Sequence, residues 1–310
     1  MQYRVIIKKI SKFFERYGGK SGQNNYRVRE ATEDIIARST VRDYKMNKRI
    51  PEELFQKLIC AAQSAPTSSM AQAWSVIAIT DLEIKKKIIS ERKYALHLGI
   101  LENSAIFQTD PNPLNVQKAP DHQNKHAIVT CDRLLIWLVD MSKLNSIYNN
   151  NNTGSSDKIK THKNDAKEGI DLMNFQFRSI IDATIAAQTF AMCAELEGIG
   201  VMYAGGFRTM DLRELLNLPE YVMPLFGMTI GYPNHRPRIK PRMPQDMVVH
   251  YNTYKAVPFE KLQSYNTTLK NKLEFYNQYD WFDRMITRTL PNPENYHYSE
   301  LAASHGFKFK

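Results

Sequence analysis

The stretch ARSTVRDY, residues 37–44, sets Arg38, Thr40 and Arg42 at alternate positions just beyond an apparent helix. In extended chain, alternate side chains leave the backbone on the same side, so two guanidinium groups flank one hydroxyl. Such a set suits a doubly charged, oxygen-rich group. A second basic pair, Lys240 and Arg242, lies in RPRIKPRMP, where Pro237, Pro241 and Pro244 hold the chain extended and bring the pair to one side. Taken alone, that pair reads as a solvated charged loop. His122 and His126 have the spacing of metal ligands on a helix, but HQNKH lacks the acidic residue of a zinc-protease helix and an evident third ligand. They read as solvated loop histidines, and no metal site is expected. Asp43 and Asp140 form no evident acid–base pair, and no catalytic side chain is nominated.

The elements that must carry these residues follow from periodicity and punctuation. Helical spacing from Tyr26 to Arg38 puts Ala31, Ile35 and Ile36 on a buried side. A second helix starts at Pro51 and repeats Leu54, Leu58, Ile59 and Ala62 until Pro66 ends it, giving the turn PTSSMAQ and the strand WSVIAIT. RLLIWLVD, 133–140, reads as a buried strand. Residues 104–125, with Pro111, Pro113 and Pro120, and the Asn-rich stretch 145–168 read as loop insertions. A long helix from about Glu168 to Glu197 is apolar on nearly all sides, and wants burial in the protein centre or between two subunits. GIGVMYAGGFR gives a helix stop, a short strand and a glycine turn, MDLRELLNL a short helix, and YVMPLFGMTIGYP a further strand. Beyond residue 255 the chain reads as a wrapping extension with one or two helices.

At the other end, Val5, Ile6, Ile10, Phe13, Phe14 and Tyr17 share a helical face opposite Lys8, Lys9, Lys12 and Arg16. This basic extension, 1–25, is expected to dock on the body or on a second subunit rather than on a membrane. The following GGKSG is set aside as a phosphate loop, because Phe14 stands where its first glycine belongs and no strand feeds it.

With 310 residues, 43% of them hydrophobic, the chain can bury a substantial core, and 24% charged residues exclude global disorder. No apolar run reaches the roughly 18 residues that cross a bilayer, and no secretory signal is expected. The net charge of +10 is dispersed, without the basic stripe of a nucleic-acid reader. Cys60, Cys131 and Cys193 are odd in number and sit in apolar surroundings, so they read as small core residues in a reducing compartment, the cytoplasm.

Five segments in order, RSTVRDY, APTSSMAQAW, YAGGFR, LPEYVMPLFGMTIGYP and KPRMP, together resemble the FMN-dependent nitroreductases. The resemblance is to the branch of oxygen-insensitive, NADPH-using nitroreductases and flavin reductases, and it runs from about residue 27 to 254. It implies an α+β fold with a mixed central sheet flanked by helices, and an intertwined homodimer. The FMN-binding domain is 26–254, followed by a C-terminal extension, 255–310. It further implies that Arg38, Ser39, Thr40 and Arg42 hold the FMN phosphate, with Lys240 and Arg242 approaching from another side. Pro66, Thr67, Ser68 and Ser69 match the polar turn that the partner subunit places beside the flavin. Tyr203, Ala204, Gly205 and Gly206 match the turn at its reactive edge, where a backbone N–H can donate to N5.

Three positions depart from the pattern. Ser39 stands where the branch is commonly basic. The flavin-contacting Gln has Gln123 and Asn124 as candidates. NQYDWFDR, 277–284, replaces the Arg-rich segment that grips the NADPH 2′-phosphate, so NADPH and NADH both stand as donors. The implied activity is two-step, two-electron reduction of nitroaromatics or quinones by NAD(P)H. The alternative on the same fold is a flavin or quinone reductase. The rival of another class is a non-enzymatic basic binding protein with no chromophore; no nucleic-acid partner is expected.

Overall fold

The computed structural model describes residues 29–90, 120–150, 173–205, 209–273, 276, 280–289 and 303–306. The chain forms two compact units, one from the described residues of Met1–Ser39 and Pro237–Pro293, the other from those of Thr40–Arg236 and Glu294–Lys310.

The larger unit is built on a sheet. Its strands are β1 (Trp74–Ile79), β2 (Arg133–Asp140), β3 (Gly200–Ala204) and β4 (Val222–Gly231). They pair in the order β1-β2-β4-β3, antiparallel at every pairing among the described residues, where the resemblance implied a mixed sheet. The α+β class is as expected. β2 is buried along its whole length because both faces of the sheet are covered. Leu134, Ile136 and Leu138 enter one core with Val41, Tyr44, Ile128 and Met202. Leu135 and Trp137 enter the other with Phe55, Ala186, Phe190 and Val201. That two-residue alternation into two cores is why the strand reads as an uninterrupted apolar run. Pro224 sits inside β4, a central strand, where β3 pairs with residues 227–231 and, among the described residues, no strand pairs on that edge at Pro224. Leu225 is skipped in the register against β2, a bulge beside the proline.

Helix α2 (Glu52–Gln63) follows Pro51 directly, and α6 (Met173–Leu196) is the long helix; both pack on the second core. Between them in sequence lie α3 (Leu82–Ser90), α4 (Pro120–Thr130) and α5 (Ser142–Asn149), and α7 (Thr209–Leu215) precedes β4. Two of these correct the expected loops. Residues 120–125 are the first turns of α4, since proline is tolerated at the first position of a helix. Residues 145–149 belong to α5, where Leu144 and Tyr148 pack against Met141 and Tyr221 in spite of the Asn-rich surroundings. The remainder of both insertions lies outside the described residues, as do the N-terminal amphipathic stretch and GGKSG.

Long helix α6 meets only half its expectation. Ala183, Ala186, Ala187, Phe190 and Ala194 are fully buried, but Phe177 is 53%, Ile181 54% and Ile185 37% exposed. The opposite apolar face is therefore left uncovered in the single chain. Cys131 and Cys193 lie in or against the cores, whereas Cys60 is exposed on α2, contrary to the core reading.

In the smaller unit, α1 (Glu30–Ile36) is shorter than its periodicity, and Ala31, expected to be buried, is exposed. Among the described residues, the C-terminal extension carries α8 (Phe259–Lys272) and α9 (Trp281–Thr289). Asn266 and Asp280 tie them: the Asn266 amide donates to Asp280 at 2.9 Å, and Trp281 N–H donates to the Asn266 carbonyl at 3.1 Å.

Segment 40–45 is laid against the sheet through missing atoms. A Cβ on Gly200 would lie 2.6 Å from a Val41 methyl, and one on Gly231 would lie 2.8 Å from the Tyr44 ring. Gly200→Ala is accordingly expected to destabilise the protein by about 1–3 kcal/mol in urea unfolding, the usual range for overpacking a filled core. Gly205→Ala, where a Cβ meets nothing within 4 Å, should leave the midpoint unchanged.

Candidate functional site

The opening cations sit on backbone held independently of them. Val41 N–H donates to the Val201 carbonyl of β3 at 3.2 Å, and Lys45 N–H to Tyr232 at 2.8 Å. The Tyr44 hydroxyl donates to the Val41 carbonyl at 2.9 Å and lies 2.8 Å from the Thr229 hydroxyl of β4. Burial raises that phenol's pKa well above its ordinary value, so it stays neutral. With Val41 turned into the core, Thr40 and Arg42 are both partly exposed, as the alternation requires. Burial lowers the Arg42 pKa from its ordinary value, the mark of a cation partly stripped of water. It remains charged. Arg42 Nε donates to Asn124 Oδ1 on α4 at 2.9 Å. Of the two residues expected to replace the family's glutamine, Asn124 thus meets an arginine, and the Gln123 side chain lies outside the described residues.

Arg38 and Ser39 belong to the smaller unit, as do Lys240 and Arg242. Ser39 is buried and Arg38 half-buried. Lys240 and Arg242 are exposed on either side of buried Pro241, the alternation expected of an extended segment. Arg242 donates back to the Pro241 carbonyl at 3.0 Å.

The turn after α2 is strained. Ser69, Met70 and Gln72 have φ of 54°, 53° and 48°, left-handed values that side chains with a Cβ rarely adopt. Pro66 precedes it, exposed, and Thr67 and Ser68 are half-buried. The Ser68 N–H is held by both carboxylate oxygens of Asp182 on α6, at 3.2 and 3.0 Å. Burial raises the Asp182 pKa. Sequence reasoning missed this residue; the signal was a lone acid inside SIIDATIAAQTF.

Six residues further along, the same helix supplies Gln188, whose side-chain carbonyl accepts from the Tyr203 hydroxyl at 3.1 Å. Tyr203 is 41% exposed, with its ring 5.4 Å from that of Phe226. Ala204 turns inward, and Gly205 is exposed with open space where a side chain would begin. Gly206 lies outside the described residues.

The histidines correct the loop reading. His126 is on α4 with its Nε2 3.4 Å from Asp43 Oδ1, and His235 Nδ1 is 3.4 Å from the other oxygen of that carboxylate. The side chain of His122 lies outside the described residues. No group of three or more His, Cys, Asp or Glu is arranged to hold a metal among the described residues. In the smaller unit, Asp280 of NQYDWFDR accepts from Lys270 at 2.6 Å and caps Phe282 N–H at 2.8 Å. The Lys270 hydrogen bond, with that of Asn266, holds its carboxyl down at about 2. No helix among the described residues is long and apolar enough to cross a membrane.

Residues 35–232 match the model of the nitroreductase family, and residues 240–310 match the C-terminal domain of that family. A Cr(VI) reductase of Pseudomonas sp. (strain G-1) is 31% identical over 282 residues, covering 88% of this chain and 96% of that protein. An NADPH-dependent oxidoreductase of Staphylococcus aureus is 30% identical over 248 residues, covering 77% of this chain and 80% of the relative. Among solved structures, the NADPH:FMN oxidoreductase of Vibrio harveyi complexed with NAD+ aligns with a TM-score of 0.66 at 24% identity, over 89% of this chain and 97% of that one. That likeness speaks for the fold, and the matched sequence speaks for descent: the chain belongs to the nitroreductase family and is an oxidoreductase.

Proposed function

We propose that this enzyme binds FMN and uses it to carry electrons from NADPH or NADH to nitroaromatics and quinones, in the cytoplasm. The observation that carries the reading is the pairing of a half-desolvated arginine with an open glycine turn along one strand. Val201, which holds the Arg42 segment, and Gly205 are four residues apart, on the order of 13 Å in extended chain. An elongated ligand, anionic at one end and flat at the other, fits that spacing; a compact anion does not. The residues present therefore fit the mononucleotide.

Thr40 and Arg42 hold its phosphate, with Arg38, Ser39, Lys240 and Arg242 contributing charge and donors to the same group. A hydrogen bond to a charged group sheltered from water contributes about 1.5–3 kcal/mol, against about 0–1 kcal/mol for an exposed ion pair. Arg42 therefore weighs more than Lys240. The turn of Pro66, Thr67, Ser68 and Ser69 offers amides and hydroxyls to the ring's carbonyl edge, and Asp182 fixes that turn by holding Ser68 N–H. Tyr203, Ala204, Gly205 and Gly206 form the wall at the reactive edge, where the missing side chain lets backbone approach the ring. When bound, FMN supplies the redox chemistry, accepting a hydride equivalent from the nicotinamide and delivering two electrons to the acceptor. The protein's share is binding and orientation, with its positive charge assigned to the phosphate end.

The uncovered stripe of Phe177, Ile181 and Ile185 supports a homodimer with α6 at its centre. Ile181→Glu should convert the dimer to monomer in sedimentation, because the charge would be buried without a partner. A sedimentation profile unchanged at micromolar concentration would remove α6 from the interface.

Purified protein should be yellow, bleach on adding NAD(P)H, and recover colour with a nitrofuran or quinone. Turnover of free FMN as fast as that of either acceptor would reassign it as a flavin reductase. The Arg42→Ala, Lys240→Ala double variant should fold and lose its colour on dialysis; retention of FMN at wild-type affinity would remove these residues from the phosphate site. Gly205→Val should keep wild-type stability while weakening FMN binding by tenfold or more, about 1.4 kcal/mol. Equal affinity would mean the ring does not lie over that turn.

A further inference from the structure

We infer that Asn124 is a positioning residue for the cofactor phosphate, acting through Arg42 and setting the edge from which the guanidinium can grip an anion. The inference rests on the assignment of Arg42 to the FMN phosphate. Arginine presents only donors, so it is the carbonyl of the Asn124 amide that faces Nε, at 2.9 Å. A guanidinium is planar, and a bond at Nε fixes the rotation of the whole plane. With Nε committed to Asn124, the side-on grip that uses Nε and one Nη is closed to a phosphate. The end-on grip through the Nη groups remains.

The backbone on which this geometry rests is clamped from two directions. Helix α4 reaches the same segment one residue later, where His126 Nε2 lies 3.4 Å from Asp43 Oδ1. From the other side, Asn234 Nδ2 donates to Asp43 Oδ1 at 2.9 Å, and Asn234 N–H donates to the Asp43 carbonyl at 3.1 Å. Asp43 is held whether or not Asn124 is present. Removing the Asn124 amide therefore releases the Arg42 side chain and leaves its backbone in place. Alanine is also a better helix former than asparagine, so α4 is retained.

Riboflavin separates positioning from general loosening, because it shares the ring of FMN and lacks the phosphate. The Asn124→Ala and Arg42→Ala variants, stripped of cofactor, are titrated with FMN and with riboflavin by flavin fluorescence. Asn124→Ala is expected to raise the FMN Kd about tenfold, leave the riboflavin Kd within twofold of wild type, and leave the melting temperature unchanged. A parallel loss of both flavins would make Asn124 a structural residue, and no change in either would remove it from the site; each outcome overturns the inference. If Arg42→Ala itself leaves the ratio of the two Kd values at the wild-type figure, the assignment of Arg42 to the phosphate fails. A shift in Arg42→Ala without one in Asn124→Ala sinks the role of Asn124 alone.

Discussion

The proposed anion-binding end of this protein depends on how closely residues 40–45 lie on the sheet. Two glycines, Gly200 and Gly231, give up side chains so that Val41 and Tyr44 can fill the space. Once Val41 is inside, period-two geometry dictates the rest: Thr40 and Arg42 face outward together. A slip of one residue would bury a guanidinium and expose a valine, so the register is specified by the core rather than by any ligand. The Tyr44 hydroxyl adds a directional lock, bridging the Val41 carbonyl and Thr229. In the proposed site, cations mounted on such backbone would not have to be gathered by the anion, which would remove an ordering cost from binding.

That arrangement carries its own electrostatic tension. Partial burial disfavours the charged form of Arg42, and a neutral amide offsets only part of the lost hydration. An arginine held this way is destabilised relative to a solvated one, and in the proposed site an arriving phosphate would relieve it. Lys240 and Arg242 differ, since both are exposed. The pull of exposed cations is long-ranged and salt-sensitive, whereas in the proposed site Arg42 would supply the directional contact.

Much of the scaffold was legible because its signals are local. RLLIWLVD read as a buried strand, and the run of small and apolar residues in α6 announced a helix with little polar surface. Pro120 and the Asn-rich run misled for the same reason: each is a statistical breaker, yet a proline fits a first helical turn and Leu144 with Tyr148 anchors α5. At the site, alternate spacing placed Thr40 and Arg42, and the TSS and AGG turns were visible as turns. Their partners were not. Asp182 lies 114 positions from Ser68 and Asn124 lies 82 positions from Arg42, and no local pattern encodes such pairings. The left-handed backbone at Ser69, Met70 and Gln72 was equally hidden, because none of these residues is a glycine, the residue type that marks such a conformation in sequence.

Helix α6 joins the two halves of the proposal. Asp182 fixes the strained turn and Gln188 meets Tyr203, so one rigid rod anchors both elements assigned to the flavin. The same rod presents Phe177, Ile181 and Ile185 outward, with Gln188 at the end of that stripe. Six residues of helix span about 9 Å, so both polar anchors lie within two turns of the uncovered face. In the proposed dimer a second subunit packing on that face would exclude water beside both anchors and strengthen their hydrogen bonds. Assembly and cofactor geometry would then be coupled through a single helix, since anything that shifts α6 at the interface shifts the turn and the tyrosine with it.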